Sequence, residues 1–180
     1  FFPEALSGVT LEEFYCGINA VAPSLIRVEA DEVTYNLHIL ARFELEKLLI
    51  TGELAVEELP GAWNERYRSL LAVTPPDDAQ GVLQDIHWSM GNFGYFPSYT
   101  LGNLYAAQFF RAMRREIPGL EETLERGEFA PLLGWLREKV HRHGRVVPAS
   151  ELCRQATGEA LDPACLIEYL EAKYAGIYKL

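Results

Sequence analysis

Along this chain apolar residues recur at steps of three and four, and the breaks between such runs carry proline and glycine, which is helical punctuation nearly throughout. Thr10 with Glu13 three places on forms a capping-box start, Leu11, Phe14, Tyr15 and Ile18 follow as a short amphipathic run, and Pro23-Ser24 ends it. The longest periodic segment spans about 29–51, with Val33, Leu37, Leu40, Ala41, Leu45, Leu48 and Leu49 at helical spacing. Its acidic first turn (Glu29, Asp31, Glu32) suits the positive end of a helix dipole, and Gly52 offers a stop. Pro60 opens a helix to about Ala72, with Trp63, Tyr67, Leu70 and Leu71 on its apolar side, and residues 74–78 form a stiff connector. A short helix through Val82 to His87 is predicted next, then an irregular loop to Ser98. The segment from Tyr99 to Glu116 is helical again, closing with Arg111, Arg114 and Arg115 and stopped by Pro118. Three further helices are marked by Pro131 to Gly144, Pro148 to Gly158, and Asp162-Pro163 to about Tyr178. No repeat, low-complexity tract or long linker divides the chain. The pattern predicts an all-α fold, one irregular multi-helix segment over residues 1–180.

Composition narrows the partners. A chain of 180 residues with 49% hydrophobic content can build one core. Lys+Arg 16 against Asp+Glu 26 gives a net charge of −10, a field that repels phosphate backbones and anionic lipid, so no nucleic acid and no membrane partner is expected. No apolar run approaches the length of a spanning helix, and no basic leader precedes an apolar stretch. Cys16, Cys153 and Cys165 are scattered and form no Cys-x-x-Cys pair, which fits a reduced, cytoplasmic protein. The start at Phe1-Phe2-Pro3 reads as a cut inside a longer protein, and an ordered fragment would read the same way.

Candidate chemistry concentrates in three places. Arg27 lies at the entrance of the long predicted helix; a guanidinium binds a carboxylate through two parallel hydrogen bonds, and free N–H groups at a helix start add to that preference. The competing reading is a local ion pair with Asp31 or Glu29. Asp85 and His87 stand two apart. On an extended backbone they point the same way, and Asp85 would orient the imidazole and raise its basicity; on a helix they diverge, Asp85 caps a turn and His87 is an ordinary buried histidine. Five aromatics follow in the twelve residues from Trp88 to Tyr99, among Gly91, Gly94 and Pro97. The rings either wall a pocket for a substrate side chain or lie folded onto the core, and both hold if the rings divide. Tyr99, at the start of the next helix, is the candidate phenol for a developing oxyanion, with Tyr95 in reserve. His38, mid-helix among apolar neighbours, reads as a hydrogen-bonded core histidine, and His141 and His143 as capping residues at a helix end. Ser89 near His87 has no surrounding nucleophile motif. No histidine pair has zinc-protease spacing and no cysteine cluster replaces it, so a complete metal site is not expected within these residues.

Two strings carry a resemblance. Gly81-Val82-Leu83-Gln84-Asp85-Ile86-His87-Trp88 matches Gly-x-x-Gln-Asp-x-His-Trp at every fixed position, and Ile26-Arg27-Val28-Glu29-Ala30-Asp31 matches Ile-Arg-x-x-Ala-Asp. Together they resemble the signature motifs of the carboxypeptidase Taq family, the thermostable-type zinc metallocarboxypeptidases, and the resemblance runs over the whole chain. The family's His-Glu-x-x-His is absent here. The resemblance therefore implies the C-terminal part of a larger, mainly helical metallopeptidase fold, one that carries substrate-side residues. Arg27 would take the substrate's terminal carboxylate, and His87 and Tyr99 would position the substrate and stabilise its oxyanion. Tyr95, Trp88, Gln84 and Asp85 would belong to the substrate-binding set with Arg27, the last three by holding the loop in shape. It further implies zinc, or cobalt in some members, held upstream of Phe1. This segment would bind no metal and would be inactive alone. Implied partners are peptides with a free C-terminal carboxylate, the rest of its own chain, and a second copy in a homodimer. A competing class is a non-catalytic helical binding or scaffold module that docks partners through the aromatic loop 88–99.

Overall fold

The computed structural model describes residues 2–180, and among them it holds nine α-helices, three short 3-10 turns and no strand, as the apolar spacing predicts. Contacts group the chain into two compact units, one running to Thr100 and the other Leu101–Leu180.

The first unit contains α1 (Pro3–Leu6), α2 (Leu11–Ile18), α3 (Tyr35–Thr51), α4 (Leu59–Leu71) and the first turn of α5 (Pro97–Glu116). The capping box forms as the sequence predicts: Thr10 Oγ1 accepts from the Glu13 amide at 3.2 Å, and the Glu13 carboxylate accepts from the Thr10 amide at 2.8 Å. The core lies between α3 and α4, where Ala41 and Leu45 pack against Leu59, Trp63, Tyr67 and Leu71. Burying each of the larger side chains contributes about 1.5–3 kcal/mol.

Several boundaries differ from the sequence reading, among them the helix predicted to Gly144, which ends at Lys139. The long helix begins at Tyr35, not near residue 29, because Asp31 closes a turn of its own. Its Oδ1 accepts from the amides of Val33 and Thr34, both at 2.9 Å, and its Oδ2 accepts from the Thr34 hydroxyl at 2.8 Å and the Ala22 amide at 3.1 Å. Burial alone would raise this carboxyl's pKa, but those bonds hold it below the usual value. Arg27–Glu29 forms a 3-10 turn ahead of it. The short helix predicted over 82–87 is a series of turns. Gly81 lies in the first of them, and a Cβ there would stand 3.1 Å from the Asp77 carbonyl oxygen and 3.2 Å from Pro75 Cβ, so a side chain would force its neighbours aside by a few tenths of an ångström. By contrast α5 starts two residues earlier than predicted, with Pro97 at its first position.

The second unit contains the rest of α5, then α6 (Leu120–Glu125), α7 (Ala130–Lys139) with a 3-10 turn at His141–His143, α8 (Ala149–Thr157) and α9 (Ala164–Tyr178). The sequence reading did not anticipate α6, which is too short to display a period. Its core gathers Ala112, Met113, Leu120, Trp135 and Ala156. Buried Gln108 ties α5 to the loop between α8 and α9: its amide nitrogen donates to Thr157 Oγ1 at 3.2 Å and the Ala160 carbonyl at 2.9 Å, and its oxygen accepts from the Asp162 amide at 2.8 Å. The division between the units falls inside α5 and not in a linker, so no Pro/Gly-rich stretch marks it. No helix among the described residues is long and apolar enough to cross a membrane.

Helix α2 buries none of its residues, leaving Leu11 84% and Ile18 66% exposed, and Val28, Ile50 and Leu83 are also turned outward. Apolar surface of this kind favours association. Expressed alone, the 180 residues are expected to self-associate in sedimentation velocity; a well-behaved monomer contradicts this.

Candidate functional site

A partly buried carboxylate held by two buried guanidiniums organises the first unit. Arg27 Nη2 donates to Asp85 Oδ1 at 2.6 Å, and Arg27 Nε lies 3.2 and 3.3 Å from the two carboxylate oxygens. Arg42, fully buried on α3, donates from Nε to Asp85 Oδ2 at 2.6 Å. Burial by itself would raise the Asp85 pKa; hydrogen bonds from Arg27 and the charge of Arg42 outweigh it and hold the carboxyl below its usual value. For Arg27 burial works downward and Asp85 outweighs it, so the guanidinium is held above its ordinary value. Arg27 is thus paired with a residue 58 positions away, not with Asp31 or Glu29 as the local reading had it. Nor is it at a helix entrance, since α3 starts eight residues later. Its Nη1 donates to the Tyr35 hydroxyl at 3.0 Å. Of five guanidinium N–H groups, one on each terminal nitrogen has no protein partner among the described residues.

Gln84 uses both ends of its amide to lock this arrangement. Its oxygen accepts from the Arg27 amide at 3.0 Å and Arg42 Nη2 at 2.9 Å, while its nitrogen donates to the Leu25 carbonyl at 2.8 Å and the Gln80 carbonyl at 3.0 Å. Arg42 Nη1 donates to the His38 carbonyl at 2.8 Å and the Tyr67 hydroxyl at 2.9 Å. Trp88 is held from α3 as well, its indole N–H donating to Glu46 Oε2 at 2.7 Å, and its ring meets Trp63 and Phe96 edge to face. Gln84, Asp85 and Trp88 therefore hold the loop together with hydrogen bonds and ring contacts within the protein.

His87 faces the aromatic residues and not Asp85. Its Nε2 lies 3.0 Å from the Tyr99 hydroxyl, whereas Nδ1 is 3.8 Å from Asp85 Oδ1, beyond hydrogen-bond reach. Of the two readings of this pair, the one in which Asp85 orients the imidazole does not hold: the Asp85 oxygens accept from Arg27 and Arg42 instead. The His87 ring packs on Phe96 (centroids 4.4 Å apart) and touches Tyr95 and Tyr99. The rings of the loop divide: Phe96 is 1% exposed beneath both guanidiniums, while Tyr95 is 50% exposed. Arg27 lies over the Tyr99 ring at 5.0 Å, so Arg27, His87 and Tyr99 converge on one place. Ser89 donates its hydroxyl to the Ile86 carbonyl and takes no part.

Sequence reasoning missed Arg42 and Glu46, the two buried charges of α3. A signal was present: His38, Arg42 and Glu46 recur at steps of four beside the apolar Leu37, Ala41 and Leu45, placing a polar stripe on a face that must be buried. Among the described residues no group of three His, Cys, Asp or Glu side chains could hold a metal ion. The described side chains do not fit a metal centre.

Against known proteins, the family model for carboxypeptidase Taq (M32) metallopeptidases matches residues 1–174. The chain is 54% identical to thermostable carboxypeptidase 1 of Thermus thermophilus and 48% identical to carboxypeptidase 1 of Bacillus subtilis, in each case over 99% of its own length and 36% of the relative's. Among solved structures, the M32 carboxypeptidase of Deinococcus radiodurans superposes with a TM-score of 0.96 at 48% identity, covering 99% of this chain and 36% of that one. The chain thus spans about a third of the length of the relatives it matches.

His38 makes the support of the site sensitive to acid. It is buried as predicted, with Nδ1 3.1 Å from the Tyr67 hydroxyl. Burial, then the charges of Arg42 and Arg27, push its pKa from 6.5 down to about 4. The unfolded chain therefore takes up a proton that the folded chain refuses. The stability this contributes is complete above pH 6.5 and is lost as pH falls toward 4, a change on the order of 3 kcal/mol. Asp31 and Asp85, both held below 3.8, keep their contributions through that window. In the intact protein, His38→Asn, which retains a polar atom for Tyr67, is expected to flatten the fall in denaturant midpoint between pH 6.5 and 4. Equal slopes for the two proteins contradict the assignment.

Proposed function

Because the chain belongs to the carboxypeptidase Taq (M32) metallopeptidase family, we propose that it forms the substrate-side wall of a metallocarboxypeptidase that hydrolyses the C-terminal peptide bond of peptides. The observation that carries this reading is the convergence of Arg27, His87 and Tyr99 beside a clamp whose charges do not cancel. Two guanidiniums against one carboxylate leave one positive charge in excess. The terminal N–H groups of Arg27 that lack protein partners are suited to a carboxylate, which accepts two parallel hydrogen bonds. An exopeptidase needs such a group, because the free acid is what distinguishes the last residue of its substrate from every other.

Tyr99 is the donor for the oxygen of the bond under attack. Burial outweighs the nearby Arg27 and raises the phenol's pKa above 10, so at neutral pH the hydroxyl carries the proton it must donate. The His87 ring fixes where that hydroxyl points. Tyr95, next to both rings and half exposed, lines the approach of the substrate side chain. The metal of the intact enzyme, zinc or cobalt, is held by residues outside these 180, so this segment alone is inactive. The intact enzyme is read as a cytoplasmic homodimer.

The intact protein is expected to release the last residue from a peptide acid but not from the corresponding peptide amide; equal turnover of both removes Arg27 from carboxylate recognition. Tyr99→Phe in the same protein is expected to lower kcat about a hundredfold, the usual loss for one oxyanion donor, with a smaller change in KM. An unchanged kcat takes Tyr99 out of the mechanism.

A further inference from the structure

Glu46 is buried on α3, and both of its carboxylate oxygens are spent on the aromatic loop. Oε2 accepts from the Trp88 indole N–H at 2.7 Å, and Oε1 accepts from the Gly94 backbone N–H. These two attachment points stand immediately after His87 and immediately before Tyr95. Gly94 has φ +77°, the left-handed conformation in which its amide reaches Glu46 and which other residues resist. The backbone hydrogen bonds from residue 87 to residue 92 stay inside the loop, for example Asn92 N to the His87 carbonyl at 2.8 Å and Gly91 N to the Trp88 carbonyl at 3.0 Å. They shape the loop without fastening it to a helix.

We propose that Glu46 is a positioning residue: it fastens the loop to α3 at both ends, and so sets where His87 and Tyr95 stand relative to Tyr99 and Arg27. The proposal rests on the substrate-side reading above and adds to it a group that never touches substrate. Its chemistry requires a carboxylate. Only an ionised acid offers two acceptors and no donor to two N–H groups at once. A glutamine of the same shape satisfies one and turns its own N–H₂ against the other.

That mismatch gives a specific test in the full-length protein. Glu46→Gln is expected to lower kcat/KM for a peptide acid about tenfold, the loss of one charge-assisted hydrogen bond, and to speed deuterium exchange across residues 90–96 by a similar factor. Trp88→Phe removes the indole N–H, so in that background the glutamine oxygen can serve Gly94 and its N–H₂ meets no donor. There the same substitution is expected to change each quantity by less than about threefold. Glu46→Gln indistinguishable from the parent in exchange, or an equal loss in both backgrounds, overturns the proposal. If the full-length protein cleaves no peptide, the enzymatic reading fails, and the exchange measurements still decide whether Glu46 fastens the loop.

Discussion

Asp85 is the group on which the arrangement of the first unit depends. Three stretches far apart in sequence meet at its two oxygens: the turn at Arg27, helix α3 through Arg42, and the loop that follows α4. Bringing an acid and two bases out of water is costly, and attraction offsets that cost only where the remaining donors and acceptors are also satisfied. Here they largely are, through Gln84, Tyr35, Tyr67 and the His38 carbonyl. Taking away one partner would leave a buried charge without compensation, a loss of about 3–5 kcal/mol. The surplus positive charge is shared by two buried guanidiniums, Arg27 and Arg42.

The aromatic residues complete this electrostatic setting. Phe96 lies under both guanidiniums, with ring centroid distances of 5.9 Å to Arg27 and 5.5 Å to Arg42, so each cation faces the negative side of a ring. Arg42 also stands 4.7 Å from the Trp63 ring centroid. An apolar floor beneath fixed charges keeps the local dielectric low and strengthens the hydrogen bonds that the two guanidiniums form. The same loop thus supplies a buried base for the clamp and exposed rings beside it, which is why its aromatic content answers to two demands at once.

Much of the fold was legible because caps and breakers act locally. Thr10 with Glu13, Pro97, Pro131 and Gly158 each mark a helix end to within a residue or two, since the atoms they satisfy lie within one turn. Where the reading failed, the deciding partner was remote or competing. Asp31 looks like a favourable first-turn acid until its own turn with Val33 and Thr34 is seen. Arg27 looks paired to its neighbours, and nothing nearby says that Asp85 will take it. In the candidate site, the resemblance pointed to His87, Tyr99 and Arg27, which the fold does bring together, whereas spacing alone left Asp85 and His87 undecided. Arg42 and Glu46 were passed over because charged residues in a long helix are ordinarily solvated; only their register with the apolar stripe sets them apart.

The long reach of the clamp also orders events as the chain folds. Helices α3 and α4 are neighbours in sequence, and their apolar faces can meet as soon as both have formed. Arg42 lies in that interface with its acidic partner 43 residues onward, and Arg27 reaches the same acid across a span of 58. Loop closure over such distances is slow compared with pairing of adjacent helices. Contact order thus leads one to expect the α3–α4 hairpin to pair while Arg42 still lacks its acid, and the cluster to close when Gln84 and Asp85 arrive. The Asp85 cluster is in this sense expected to be the last part of the unit to assemble.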